Sequence, residues 1–409
     1  MSELIEYEDL FQDRYIFESI GKSRYYDELY PDIIKERNNK KTRFIKYALN
    51  VLQGMRKQDN KKGNLLFLEH KFIHIAKGLS DDYNIYLLHD SLHIYKSFRK
   101  ENYYQYFYRI WLKLIDKSYI THDMQYAFKA MKKVQSFLRK NKINIVFTGN
   151  DKMFMEKLVL IAAKRISIPT VVIQHGAYTD EWSFGKLKTA DTADNFWSWS
   201  EYIKDCYIKR YNKKADRVKV IGYPFELLNE KPQGEPAVLF LGNNYRNTNY
   251  EEGIGYLEVA KNVLAVCDKL GIQYNYRAHP AERIDSEYGH IAEHIHKGNS
   301  LLQDIEAASI VIGDVSSAMV EAGLCKRKVI QIIWSDRSKE TLNDPLYDFT
   351  IKIANKQEEI EKAIQNCMEN DKENQINEYY MYKDPCFLDN IKKYVLELIT
   401  EHEQHCKYE

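Results

Sequence analysis

The chain has 409 residues, 44% of them hydrophobic, enough for more than one core and incompatible with a disordered polymer. Lys and Arg number 60 against 59 Asp and Glu, a net charge of +1, so no global field for nucleic acid exists and no nucleic-acid partner is expected. No apolar run approaches the roughly 18 residues of a membrane span, and 17 glycines with 8 prolines exclude a collagenous or linker-dominated chain.

Residues 1–60 read as a polar helical extension. From Lys35 to Lys62 the chain carries ten basic residues and two acidic ones, Glu36 and Asp59. Such a stretch is either a solvated face or a contact for an anionic membrane surface. A strand–helix rhythm starts at the apolar run 64–68, followed by a helix through Phe72 and Ala76 and a strand at 84–88. Residues 92–142 read as helical and rich in aromatics, and the segment 99–117, with Trp111 among Arg and Lys, is a second candidate for lipid contact. Strands at 143–148, 170–174 and 195–199 and a helix at 151–165 complete a first unit, 61–225. Pro224, Pro232, Gly234 and Pro236 then break both helix and strand and mark a seam.

The rhythm restarts in a second unit, 235–385. Strands are predicted at 237–241, 272–277, 309–312 and 328–334, and helices at 250–270, 301–308, 318–324 and 356–368. The tail, 386–409, has an apolar stripe of Phe387, Leu388, Ile391, Val395, Leu398 and Ile399. Strands alternating with helices of this length predict α/β architecture: two Rossmann-like, doubly wound domains facing a cleft. The six cysteines, Cys206, Cys267, Cys325, Cys367, Cys386 and Cys406, show no CxxC or zinc spacing, so reduced packing thiols and no metal site are expected. With the acidic, non-signal-like start MSELIEYEDLFQDRY this leads to an expected cytoplasmic location.

Ligands of parallel sheets bind beyond the carboxyl ends of strands. In the second unit those positions hold Gly242, Asn243 and Asn244; Arg277, His279 and Pro280; and Asp314, Ser316 and Ser317. In the first they hold Glu69, Asp151, and Gln174, His175 and Gly176. Ser316 and Ser317 open a helix, where unpaired N–H groups suit a phosphate; the plainer role is an N-cap. Arg277 and His279 are cationic donors for a phosphate leaving group, or surface residues beside a turn. Glu321 is placed to hold a ribose hydroxyl or to complete a helix cap. No D-x-D triplet, P-loop, G-x-G-x-x-G or G-x-S-x-G is present, which argues against metal-clamped sugar diphosphates, ATP hydrolysis, the usual dinucleotide site and a hydrolase elbow.

The segments Ile168–Gly176, Arg277–Pro280 and Gly313–Ala322 resemble bacterial surface-polysaccharide glycosyltransferases of the GT-B fold. Within them the chain is most similar to the sialyl-, polysialyl- and Kdo transferases that use CMP-activated acidic sugars and share an HP and an SS motif, matched here by His279-Pro280 and Ser316-Ser317. CDP-glycerol glycerophosphotransferases carry a similar set. The resemblance implies that His279 and the two serines contact the donor phosphate, with the nucleotide sugar as co-substrate and no further cofactor. It implies a capsule or lipopolysaccharide glycan as acceptor, lipid-linked or held at the inner face of the plasma membrane. Asp151, Glu69 and His175 are the three candidate bases for the acceptor hydroxyl, with Gln174 and Gly176 on the acceptor side. A UDP-sugar 2-epimerase, which shares the architecture but takes no acceptor, and a non-catalytic scaffold of polymer assembly are the rival readings.

Overall fold

A computed structural model describes residues 61–68, 72–88, 102–103, parts of 111–118, 124–149, 154–176, 193–225, 237–243, 250–279, 282, 284–295, 298–370, 376–382 and 384–405. The predicted extension 1–60 and most of the seam after Phe225 lie outside them.

The first half builds β1 (Asn64–Phe67), α1 (Ile73–Leu79), β2 (Asn84–Leu87), β3 (Asn102–Tyr103), α2 (Met124–Lys140), β4 (Ile145–Thr148), α3 (Phe154–Lys164), β5 (Thr170–Ile173), β6 (Asn195–Ser198), α4 (Glu201–Tyr211) and β7 (Val218–Val220). These strands form one parallel sheet in the order β3-β2-β1-β4-β5-β6-β7. The second half builds β8 (Ala237–Leu241), α5 (Tyr250–Leu270), β9 (Gln273–Arg277), α6 (Leu301–Ala307), β10 (Ile310–Gly313), α7 (Ser317–Leu324), β11 (Lys328–Ile333), α8 (Asp336–Glu340), β12 (Ile351–Ala354), α9 (Gln357–Glu369) and α10 (Phe387–His405). Its parallel sheet runs β12-β11-β10-β8-β9.

Central strands such as β1, β4, β5, β8 and β10 are buried along their whole length, because helices cover both faces of each sheet. On the first sheet Leu66, Val146 and Val172 face α2, α3 and α4, while Leu65, Phe67, Ile145 and Ile173 face α1 and α10. On the second, Phe240 and Ile312 face α5 and α9, and Leu239 and Val311 face α6 and α7. Three short strands depart from the expected pattern. β3 lies inside the stretch read as helical, and β7 and β12 carry no strand signal of their own. All three are edge strands, where one side of the ladder is open; β3 spans only two residues, and a lysine interrupts Val218-Lys219-Val220 and Ile351-Lys352-Ile353-Ala354.

The tail does not stand apart. Ile391, Val395, Leu398 and Ile399 of α10 bury themselves against the first sheet. Contact with α1 is so close that a Cβ on Gly78 would sit 2.6 Å from Leu388. The chain therefore crosses between halves twice, near 224–236 and again at 376–386. The second crossing is stitched down: Tyr202 N–H donates to the Tyr379 carbonyl at 3.0 Å, and Tyr223 N–H to that of Tyr382 at 2.6 Å. Gly222, at φ +76°, passes beneath Asp384, where a side chain would collide at 2.7 Å. Trp111 is 1% exposed and packs edge-on against Phe137, so the lipid-anchoring role expected of it is overturned: its ring is spent on the core.

Candidate functional site

Each sheet reverses its winding once. In the first, the connection after β1 passes over one face and that after β4 over the other; in the second, the same change occurs between β8 and β10. Loops diverge at such points and leave a crevice at the carboxyl edge. The residues singled out after β8 and β10 therefore flank one crevice. Glu69 and Asp151 follow the two strands that flank the other, although they, like Asn244 and Pro280, lie outside the described residues.

The turn after β9 is held by an unexpected carboxylate. Glu282 accepts the hydroxyls of Tyr276 at 2.7 Å and Tyr288 at 2.6 Å, and the backbone N–H of His279 at 2.8 Å. The Glu282 N–H donates back to the His279 carbonyl at 2.8 Å, so the turn carrying the exposed His279 is held from both sides. Gly242 donates to the Arg277 carbonyl at 2.8 Å, and a Cβ there would lie 2.3 Å from Glu282 Oε2 and 2.9 Å from that carbonyl. The close approach that this glycine allows is thus to the protein's own turn. Asn243 is half-buried beside it.

Arg277 is already engaged within the protein. Its Nη1 donates to the Asn299 carbonyl at 2.6 Å and to Asp304 at 2.8 Å, and the Asp304 side chain is fully buried. Withdrawing the guanidinium toward a ligand would strand a buried carboxylate, at a cost of about 3–5 kcal/mol. Arg277 anchors β9 to α6.

On the β10 side, Asp314 is buried. Its carboxylate accepts Trp334 Nε1 at 3.1 Å and the Ser335 hydroxyl at 3.2 Å, tying the ends of β10 and β11. The Tyr256 hydroxyl donates to the Leu241 carbonyl at 2.7 Å and accepts the Asp314 N–H at 3.2 Å, joining β8 to β10 across the crevice floor. Asp314 is therefore a brace beneath the site. Ser316 is the N-cap of α7, extended at φ −153°, its hydroxyl accepting the Met319 N–H at 3.4 Å. Ser317 opens the helix, and both side chains are half-exposed. This helix start keeps its positive dipole end at the crevice.

Glu321 completes no cap. It reaches the hydroxyl of Tyr223, which belongs to the far side of the seam. Burial raises its pKa to about 7 from 4.5, and the tyrosine hydroxyl offsets this only in part; burial likewise raises Tyr223 above the ordinary phenol range. The native state then binds more protons than the unfolded chain between about pH 4.5 and 7, so this group's contribution falls as pH rises through that window and is constant above it. Glu321→Gln is expected to flatten that decline, gaining at most about 3 kcal/mol relative to the parent by pH 8 and nothing near pH 4, as read from denaturant midpoints across pH. Parallel curves would rule this out.

In the first half, Gln174 is fully buried. Its amide nitrogen donates to the Gly176 carbonyl at 2.8 Å and its amide oxygen accepts the Trp199 N–H at 2.7 Å. Both ends are used, so Gln174 shapes the loop from behind and does not face an acceptor. His175 and Gly176 are half-exposed, and a Cβ on Gly176 would meet open space. The sequence offered no warning of Glu282, Tyr256 or Tyr223 as site-builders, since each acts through partners distant in the chain or in a turn of undetermined shape. Among the described residues no group of three His, Cys, Asp or Glu side chains is placed to hold a metal ion, and no helix is long and apolar enough to cross a membrane.

No protein-family model and no curated protein matches this chain. Solved structures do match. The UDP-GlcNAc 2-epimerase of Neisseria meningitidis bound to UDP-GlcNAc superposes with a TM-score of 0.56 at 12% identity, over 82% of this chain and 99% of that one. The epimerase of Methanocaldococcus jannaschii gives 0.56 at 12%, over 81% and 98%. A glycosyltransferase of Rickettsia africae gives 0.52 at 13%, over 83% and 99%. This is the GT-B fold. The GT-B architecture, two Rossmann-like domains, agrees with the expectation from sequence, and at these identities the likeness is one of fold alone.

Proposed function

We propose that the chain is an inverting, nucleotide-sugar-dependent glycosyltransferase, and that its donor is a CMP-activated acidic sugar of the sialic acid or Kdo type. The observation that carries the transferase reading is the crevice between the β8 and β10 loops, where the start of α7 with Ser316 and Ser317 shares one sheet edge with the braced turn of His279. The HP and SS pairs support the choice of cytidine. The acceptor is a surface glycan.

In this reading a base in the first half, Asp151, Glu69 or His175, takes the proton of an acceptor hydroxyl. That oxygen bonds to the anomeric carbon as the carbon–phosphate oxygen bond breaks, and the bonding pair leaves with CMP. His279, Ser316, Ser317 and the first N–H groups of α7 donate to the phosphate as its charge grows. Glu321 exchanges its tyrosine partner for a ribose hydroxyl.

A second reading, a UDP-sugar 2-epimerase, is favoured by the epimerases among the structures of like fold. Thermal-shift titration with CMP, CDP, UDP and GDP separates these. A cytidine nucleotide at a hundred times its Kd is expected to stabilise the fold by about 2.7 kcal/mol, and sugar release is expected only with an oligosaccharide acceptor. Selective stabilisation by UDP, with acceptor-free isomerisation of UDP-N-acetylhexosamine, would replace the transferase reading by the epimerase one.

A further inference from the structure

We propose that the outer ridge of α2 is a docking surface for an anionic lipid bilayer. The helix sequence Met124–Lys140 contains Lys129, Lys132, Lys133, Arg139 and Lys140 and no acidic residue. Ala127, Ala130, Met131, Val134 and Leu138 face the core. The five cations therefore share the opposite side, at spacings of three, four, ten and eleven from Lys129, and all are exposed. They form one line about 16 Å long at 1.5 Å per residue.

Other helices of the chain arrange their charges differently. Lys204 pairs with Glu201 on α4, Lys261 with Glu258 on α5 and Lys339 with Asp336 on α8. Among the described residues none of the five α2 cations has an ion-pair partner. Like charges three and four apart repel along a helix, and among the described residues no acidic side chain pairs with them. A partner bearing distributed negative charge would.

Two features favour a bilayer. A shallow hollow of about 360 Å³ lies within the ridge, lined by Gln125, Phe128, Lys129, Lys132, Lys133 and Ser136, with mostly carbon at its walls. Beside it Tyr126 lies under the Lys117 ammonium at 4.2 Å. Aromatic rings, lysine stems and ammonium heads in one strip suit the boundary between headgroups and acyl chains. The crossover from β3 to β4 also runs α2 back from the carboxyl edge of the sheet. Its N-terminal end thus lies on the side of the first sheet where the carboxyl ends of the strands open. The surface differs from both stretches that the sequence had suggested.

The test is sedimentation of the full chain with phosphatidylcholine vesicles containing or lacking 30% phosphatidylglycerol, in about 0.05 M and 0.5 M salt. Binding is expected only with phosphatidylglycerol and only at low salt. The triple variant Lys129→Gln, Lys132→Gln, Lys133→Gln is expected to lose at least tenfold in partitioning with its melting temperature little changed, because the three side chains are exposed. The corresponding triple arginine variant is expected to bind as the parent does, so a loss through misfolding would be recognised. Equal binding by the glutamine variant, binding to neutral vesicles, absence of binding, or retention by heparin without retention by vesicles would each overturn the proposal. None of these readouts requires a donor sugar, so the outcome is independent of the transferase reading.

Discussion

His279→Ala is expected to lower sugar transfer by roughly 10²-fold or more while leaving the fold unchanged. The ring is exposed and the turn beneath it is held through the backbone, by Glu282 accepting the His279 N–H at 2.8 Å and donating back to its carbonyl at 2.8 Å. Removing the ring removes one donor to a phosphate whose charge grows as the leaving group departs, and deletions of this kind cost about 2.7–4 kcal/mol of transition-state stabilisation. Nucleotide affinity should fall less than kcat, because the ground-state phosphate is also held by the α7 terminus. The comparison is single-turnover transfer against CMP titration for parent and variant. A variant with unchanged transfer would remove His279 from the chemistry and favour the scaffold reading. Ser316→Ala is the useful contrast: its hydroxyl already caps α7, so a stability loss of about 1 kcal/mol accompanies any loss of rate.

Glu282→Ala is expected to be the most damaging single change in the second domain. Its carboxylate receives the Tyr276 and Tyr288 hydroxyls and the His279 N–H, and both tyrosines are 1% exposed. Each buried hydroxyl left without a partner costs about 1–3 kcal/mol, and the His279 turn loses the side chain that ties it to Tyr276 and Tyr288. A destabilisation of about 2–4 kcal/mol, with loss of nucleotide binding, should appear as a lower urea midpoint and a vanished thermal shift. Glu282→Gln, which keeps the shape and one acceptor oxygen, should fall between. A fully stable alanine variant that still binds nucleotide would show that the turn is held by other means.

Amino-acid order by itself determined the two α/β halves and the central strands, because runs such as Ala237–Leu241 and Ile310–Gly313 have to be buried on both faces and helices of matching length stand between them. It also placed the polar residues at strand ends, where parallel sheets open. It did not determine the edge strands β3, β7 and β12, whose ladders are half open and whose residues carry no apolar run. Nor did it determine what each polar side chain faces. Arg277 and Gln174 look alike with His279 in sequence, as polar groups just past a strand. Only the packed structure sets Arg277 against the buried Asp304 and Gln174 between Gly176 and Trp199, leaving His279 outward. The return of α10 to the first sheet and the contact of Glu321 with Tyr223 were equally invisible. Period and composition act over a few residues, whereas a partner for a buried charge or a face for an apolar stripe is assigned only when distant segments compete for the same space.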